Sequence, residues 1–387
     1  MGHQYEETIG QKRATTSPGP LKPAPRKGNA PWGTPEGARG TARQATSRRR
    51  PGTTHRPPRP DRPTPTPANP HSTGRTLGAP VNPTPCSRAS SELAEPLAGT
   101  AAVARTWLLV EQPGPWGAKA LTASHLDPET GRALDRAADG TGVRVALIRR
   151  PGRHADLHRP GRHRVIVAHT APGATWMRTA EVADPAELTA LDFAALGAGS
   201  HGGFGDAHAG PPVIAVCTNG KRDRCCALYG RPLAAELASS GGLDVWEITH
   251  LGGHRFAPTV VVLPYGYAYG RVDSGHAKDV VEAARSGRIL PYGCRGRSAW
   301  DRPGQAADLA VRAMAGEDRA AAVTVTGTED VPGGWTVHVA HEDGRAWRVA
   351  VTKAVAEPPR PESCGAVPGT PVRMQVTTVE AVPAPAG

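Results

Sequence analysis

Two apolar runs in the middle of this 387-residue chain each end on a loop that carries soft metal ligands. Val213-Ile-Ala-Val216 stops at Cys217, which opens the loop Cys217-Thr-Asn-Gly-Lys-Arg-Asp-Arg-Cys225-Cys226. Leu243-Asp-Val-Trp-Glu-Ile248 alternates like a strand and is followed by His250-Leu-Gly-Gly-His254. Only about one helix and one strand lie between the two loops, so thiols and imidazoles can converge on one centre. The order β-loop-α-β-loop-β-β-α that follows suits a small α/β domain whose site lies beyond the C-terminal ends of its strands.

The rest of that order comes from pattern and punctuation. Pro232 to Ala238 is helical, with the proline acceptable in a first turn. Thr259 to Leu263 and Tyr267 to Val272 form a hairpin around Pro264-Tyr-Gly266, and Ala277 to Arg285 is a helix closed by Gly287. Upstream, Trp107 to Glu111, Val143 to Ile148 and Val165 to Ala168 read as strands of a second α/β half. Gln112-Pro-Gly-Pro-Trp-Gly117 is dense turn chemistry, Asp184 is placed as an N-cap, and Gly197 to Gly210 reads as a loop. Downstream, Gln305 to Met314 is a helix, and the runs at 323–326, 335–339, 347–352 and 372–379 alternate like antiparallel strands. The expected organisation is therefore a tail over 1–100, an α/β half over 101–200, a second α/β domain bearing the Cys and His loops over 201–315 and a small β-rich unit over 316–387. No internal sequence repeat is evident.

Composition sets the first boundary. Residues 1–95 hold 17 of the 40 prolines, and their 15 Lys and Arg against 6 Asp and Glu give +9 of the total +11. Such a segment cannot bury enough apolar surface to offset the entropy of ordering it, so disorder is expected there. No aromatic interleaving accompanies the charge, so nucleic-acid binding is not expected. The chain has neither an apolar signal region nor a run of 18 apolar residues, which leads to the expectation of a cytoplasmic protein without a membrane partner.

Six cysteines scattered over a long chain argue for reduced thiols rather than a disulfide framework. Three of them, Cys217, Cys225 and Cys226, lie within ten residues. Cys294 and Cys364 each stand alone and read as core residues, and Cys86 in the tail as an exposed, inert thiol. Gly252 and Gly253 make a helix over the histidine pair unfavourable, at about 1 kcal/mol each, so a loop is expected there. Several chemistries fit these ligands. Zinc fingers space their cysteines more closely, while a structural zinc site of another shape remains open. A Rieske centre also uses two Cys and two His, but pairs one of each per loop. The vicinal Cys225-Cys226 pair offers thiol redox chemistry, although the usual redox motif is Cys-x-x-Cys.

Taken together, the Cys217 to Cys226 loop, His250-Leu-Gly-Gly-His254-Arg-Phe-Ala and Val261-Val-Leu-Pro-x-Gly resemble the sucrase/ferredoxin-like family, relatives of thioredoxin-like [2Fe–2S] ferredoxins. Trp107-Leu-Leu-Val-Glu-x-Pro-Gly-Pro-Trp-Gly117, Tyr269-Gly-Arg-Val and Arg295-Gly-Arg-Ser298 match its actinobacterial members, and the resemblance covers roughly 101–315. It implies a [2Fe–2S] cluster held by Cys217, Cys226, His250 and His254, with Cys225 as the alternative to Cys226. The implied task is proton-coupled one-electron transfer with an unnamed redox partner, an electron carrier more than an enzyme. The alternatives are a structural zinc protein and a thiol-redox protein. Sugar hydrolysis, which the family name suggests, needs two carboxylates flanking a sugar site; no acidic pair stands in such a motif. Lys221, Arg222, Arg224, Arg295 and Arg297 are candidates for a basic rim facing an acidic partner, or else solvated and backbone-capping charges. No feature calls for an obligate oligomer.

Overall fold

The structure, a computed structural model, describes residues 84–152 and 161–383. The disorder expected for the tail falls, over residues 1–83, outside these residues. Of the expected tail, Cys86–Glu92 forms a helix, α1, with Cys86, Ser87 and Ser90 buried. The basic composition of residues 1–95 as a whole obscured this short segment.

A ten-stranded mixed sheet follows. Its first half runs β1 (Thr106–Glu111), α2 (Pro128–Ala138), β2 (Val143–Arg149), β3 (His163–His169), β4 (Trp176–Val182), a short α3 (Phe193–Gly197) and β5 (Asp206–Ala207). The expected N-cap at Asp184 is present: it closes a capping box with Glu187 on a 3-10 turn over Pro185–Ala190. The second half runs β6 (Val213–Cys217), α4 (Arg224–Ser239), β7 (Asp244–Ile248), β8 (Thr259–Leu263), β9 (Tyr267–Gly270), α5 (Ser274–Arg285) and β10 (Cys294–Arg297). Spatial order across the sheet is β10-β9-β8-β6-β7-β2-β1-β3-β4-β5.

Each half repeats one topology. β1 pairs parallel with β2 and antiparallel with β3, and β6 does the same with β7 and β8. β4 and β9 then add antiparallel strands, and β5 and β10 form the two edges. The halves meet where β2 and β7 pair antiparallel, Ile148 with Ile248 and Arg149 with Glu247. At that seam the Arg149 guanidinium donates to Glu247 at 2.7 Å with both side chains buried, and lies 4.3 Å from the Trp116 ring centroid. The expected second α/β half and the ferredoxin-like half thus share one continuous sheet.

Every residue of β6 and β8 is buried because both sheet faces are covered, so these strands read as unbroken apolar runs. Ile214, Val216, Val260 and Val262 pack on one face under α4 and α5. Val213, Ala215, Cys217 and Val261 pack on the other with Trp107, Trp246 and Ile248. Each valine or isoleucine among them, removed from water, contributes about 1.5–3 kcal/mol.

One helix differs from expectation. α4 begins at Arg224, capped by Asp223, so Pro232 stands inside it rather than in its first turn. A proline there removes one backbone hydrogen bond, and the apolar contacts of Leu233, Ala234 and Leu237 hold the helix through it.

α6 (Arg302–Ala315) joins the large sheet to the antiparallel meander β11 (Val323–Val331), β12 (Gly334–His341), β13 (Ala346–Val355) and β14 (Val372–Val382). Ala306, Ala307 and Val311 of α6 pack on Val337, Val339, Trp347, Val349 and Val351. Between β13 and β14 the chain returns to the large sheet. Buried Glu95, just after α1, accepts from Arg255 at 2.8 Å and from Arg360 at 3.0 Å. Residues at both ends of the described chain therefore close over the loop that follows β7.

Candidate metal centre

The parallel register of β6 and β7 sets Cys217 beside Ile248, so the loops after both strands leave the sheet at one place. Only six residues, 218–223, connect β6 to α4. They bring the first turn of α4, with Cys225 and Cys226, back to the end of β6. Gly230 permits this approach, since a Cβ there would collide with the Cys217 carbonyl. On a helix successive side chains diverge by about 100°, and the two vicinal cysteines part company accordingly. Cys226 joins Cys217 and His250, their ligand atoms all within 4.8 Å of one another. Cys225 turns instead toward Cys86 and Cys364.

Accepting the Cys226 thiol hydrogen holds Cys217 well below the usual thiol value, against the cost of burial, and His250 lowers it further. Cys226, holding that hydrogen in a buried place, is raised. The start of α4 also favours a thiolate.

The histidine loop is a loop as expected, with Gly252 and Gly253 at φ +77° and +66°. At Gly253 the demand is double, because a Cβ there would also run into the Arg295 guanidinium. Arg295 donates to the Gly252 carbonyl at 3.1 Å, and Arg144 to the His250 carbonyl at 3.1 Å. The two imidazoles lie with ring centroids 5.2 Å apart. His254 stands outside the 4.8 Å group, its Nε2 3.7 Å from Asp223 Oδ2. Burial pushes His254 down, and Asp223 pulls part of the way back. His250 Nδ1 and His254 Nδ1 are both buried without a hydrogen-bond partner among the described residues. Cys217, Cys226 and His250 could together hold a metal ion, and the orphaned imidazole nitrogens of His250 and His254 are donors of the kind the expected cofactor takes.

Arg295 and Arg297 do not belong to a docking rim. Both are buried, and Arg297 donates to the Thr170 and Ala320 carbonyls at 2.6 and 2.7 Å. Their charge serves the backbone, which a sequence motif cannot distinguish from a surface role. Lys221, Arg222 and Arg224 are exposed and line, with Asp223 and Cys364, a cavity of about 390 Å³. Cys294 is buried in the core as expected, its thiol pushed up to about 12 by burial. Cys86 is not the exposed thiol expected of a tail: it is fully buried, 3.6 Å from Cys225 Sγ and 3.7 Å from Cys364 Sγ. Cys364 is likewise no isolated core residue.

Residues 97–296, 200 of the 387, match the sucrase/ferredoxin-like family, and the chain belongs to it. No curated protein and no solved structure gives a significant match. Among the described residues no helix is long and apolar enough to cross a membrane.

Proposed function

We propose that this protein is a one-electron carrier whose [2Fe–2S] cluster is held by Cys217, Cys226, His250 and His254. The two partnerless imidazole Nδ1 atoms beside the thiol pair carry this reading. When bound, the cluster supplies a single-electron redox couple, which Rieske-type ligation places at about −150 to +300 mV. The protein's own residues shape the rest. Arg144 and Arg295 pin the backbone of the histidine loop, and Gly253 leaves room for the guanidinium. Exposed Lys221, Arg222 and Arg224 suit docking of an acidic redox partner.

The test is a visible spectrum of anaerobically purified protein with iron and sulfide analysis. Absorption bleached by dithionite, with two irons and two sulfides per chain, supports the proposal. A colourless protein with zinc at the Cys217, Cys226 and His250 group overturns it in favour of a structural site, to which their 4.8 Å clustering without His254 would correspond. Imidazole ligands take up a proton more readily once the centre is reduced, so the potential should fall as pH rises. His250→Cys adds thiolate charge and should lower the potential; an unchanged value argues against ligation by His250.

A further inference from the structure

Independently of the first centre, three further thiols converge on a carboxylate. Cys86 on α1, Cys225 on α4 and Cys364 in the connection between β13 and β14 are 139 and 278 residues apart in sequence. Their sulfurs lie 3.6, 3.7 and 3.2 Å from one another. Asp223 places Oδ1 and Oδ2 at 3.8 and 3.9 Å from Cys86 Sγ. With Zn–S at about 2.3 Å, two thiolates on a tetrahedral ion stand about 3.8 Å apart, whereas a disulfide needs about 2.05 Å. Two of the three separations match the tetrahedral edge, and the third falls short of it without approaching a bond.

The surroundings are those of ligands. Asp223 is held by the Cys225 and Cys364 amides, each donating at 2.8 Å, which leaves each oxygen a further lone pair toward the Cys86 thiol, with His254 Nε2 3.7 Å from Oδ2. Ser87 Oγ donates to Cys225 Sγ at 3.3 Å, an outer hydrogen bond of the kind that orients a metal-bound sulfur. Thiols are weak donors and weak acceptors, so three of them packed together satisfy one another poorly. A cation gives all three a partner.

We propose that Cys86, Cys225, Cys364 and Asp223 bind one divalent zinc-class cation, a second metal site that fastens the α1 segment and the β13–β14 connection to the loop carrying the first. Binding releases to solvent the protons that these thiols hold, and the loaded centre carries a net charge of about −2, being four anionic ligands on one dication. Lys221, Arg222 and Arg224 in the adjoining cavity offset it. Cys86 and Cys364 both lie outside the residues that match the family.

The test is metal analysis of full-length protein expressed with zinc in the medium. One zinc per chain is expected in addition to any iron. Cys86→Ser with Cys364→Ser should lose that zinc and keep the iron and sulfide of the untouched centre, and Cys217→Ser with Cys226→Ser should do the reverse. Should the first pair fail to fold, the unaltered protein decides: iodoacetamide with and without a chelator should show Cys86, Cys225 and Cys364 protected only while zinc is bound. Replacement by Co²⁺ in the Cys217→Ser and Cys226→Ser protein should give the visible bands of a tetrahedral thiolate site. Absence of zinc together with free alkylation of the three thiols, or a Cys225–Cys364 disulfide found by mass spectrometry, overturns the proposal. Zinc at this site with no iron in the protein would leave it standing while sinking electron transfer.

Discussion

The two halves of the ten-stranded sheet share an order of elements and differ at the ends of their strands. In the second half six residues join β6 to α4, and the helix begins where the strand ends, with Asp223 as its cap and Cys226 in its first turn. In the first half sixteen residues, 112–127, join β1 to α2, so no helix start is delivered to the end of β1. That longer connection carries Trp116, which packs under Arg149 and supports the seam. Both halves press a helical glycine, Gly131 or Gly230, against a backbone carbonyl. One topology thus serves two ends, a structural buttress in one half and a ligand-bearing turn in the other. The length of a single connection, more than the fold, decides which half can gather a metal.

The sharpest break of this comparison is Cys217→Ser. It should remove all iron and sulfide while the far-ultraviolet circular dichroism stays near that of the unaltered protein. Retention of half the iron or more would mean that Cys217 is not a ligand. Next in size is the seam. Arg149→Met leaves Glu247 buried without its cation, which should cost about 3–5 kcal/mol in denaturant unfolding. A loss below about 1 kcal/mol would mean that the halves hold together without it. Gly253→Ala meets both an unfavourable backbone and Arg295, for an expected cost of about 1–3 kcal/mol. Its signature is metal content falling more than stability does; equal falls would make the glycine merely structural.

The smallest effect concerns acid. Burial opposes charge on Glu95, but Arg360 and Arg255 outweigh it and hold its carboxyl below the usual value. A depressed carboxyl contributes stability that is full above the unfolded value, about 4.3, and is lost as pH falls through the lower folded one. Protection factors of the amides in residues 84–96 and 356–370, taken relative to intrinsic exchange at each pH, should therefore fall at pH 3 relative to pH 6, ahead of those in the β6–β8 core. An equal fall in both would sink this account.

Legibility followed distance along the chain. The strands that end at Cys217 and before His250, the hairpin of β8 and β9, and the open loop at Gly252 and Gly253 all carry local signals of period, turn chemistry and glycine, and they stand where the residues place them. Pro232 misled because a proline suits a first turn, and only the packing of Leu233 and Leu237 shows that the helix passes through it. Arg295 and Arg297 left a choice between docking rim and backbone cap, because a guanidinium facing a buried carbonyl has the same sequence as one facing water. Cys86 and Cys364 misled most, each alone among its neighbours in sequence.

The sequence by itself determined which residues could bind a metal and which strands would present them, because hydrophobic period and turn chemistry act over a few residues. Only the tertiary structure decided that Cys225 and Cys226 face different partners, that the two halves repeat one topology across the β2–β7 seam, and that Cys86 and Cys364 meet. Those outcomes rest on contacts between residues about a hundred or more positions apart, as from Arg149 to Glu247 and from Cys86 to Cys225, or on the rotation of one helical residue relative to the next. Neither leaves a trace in a local pattern.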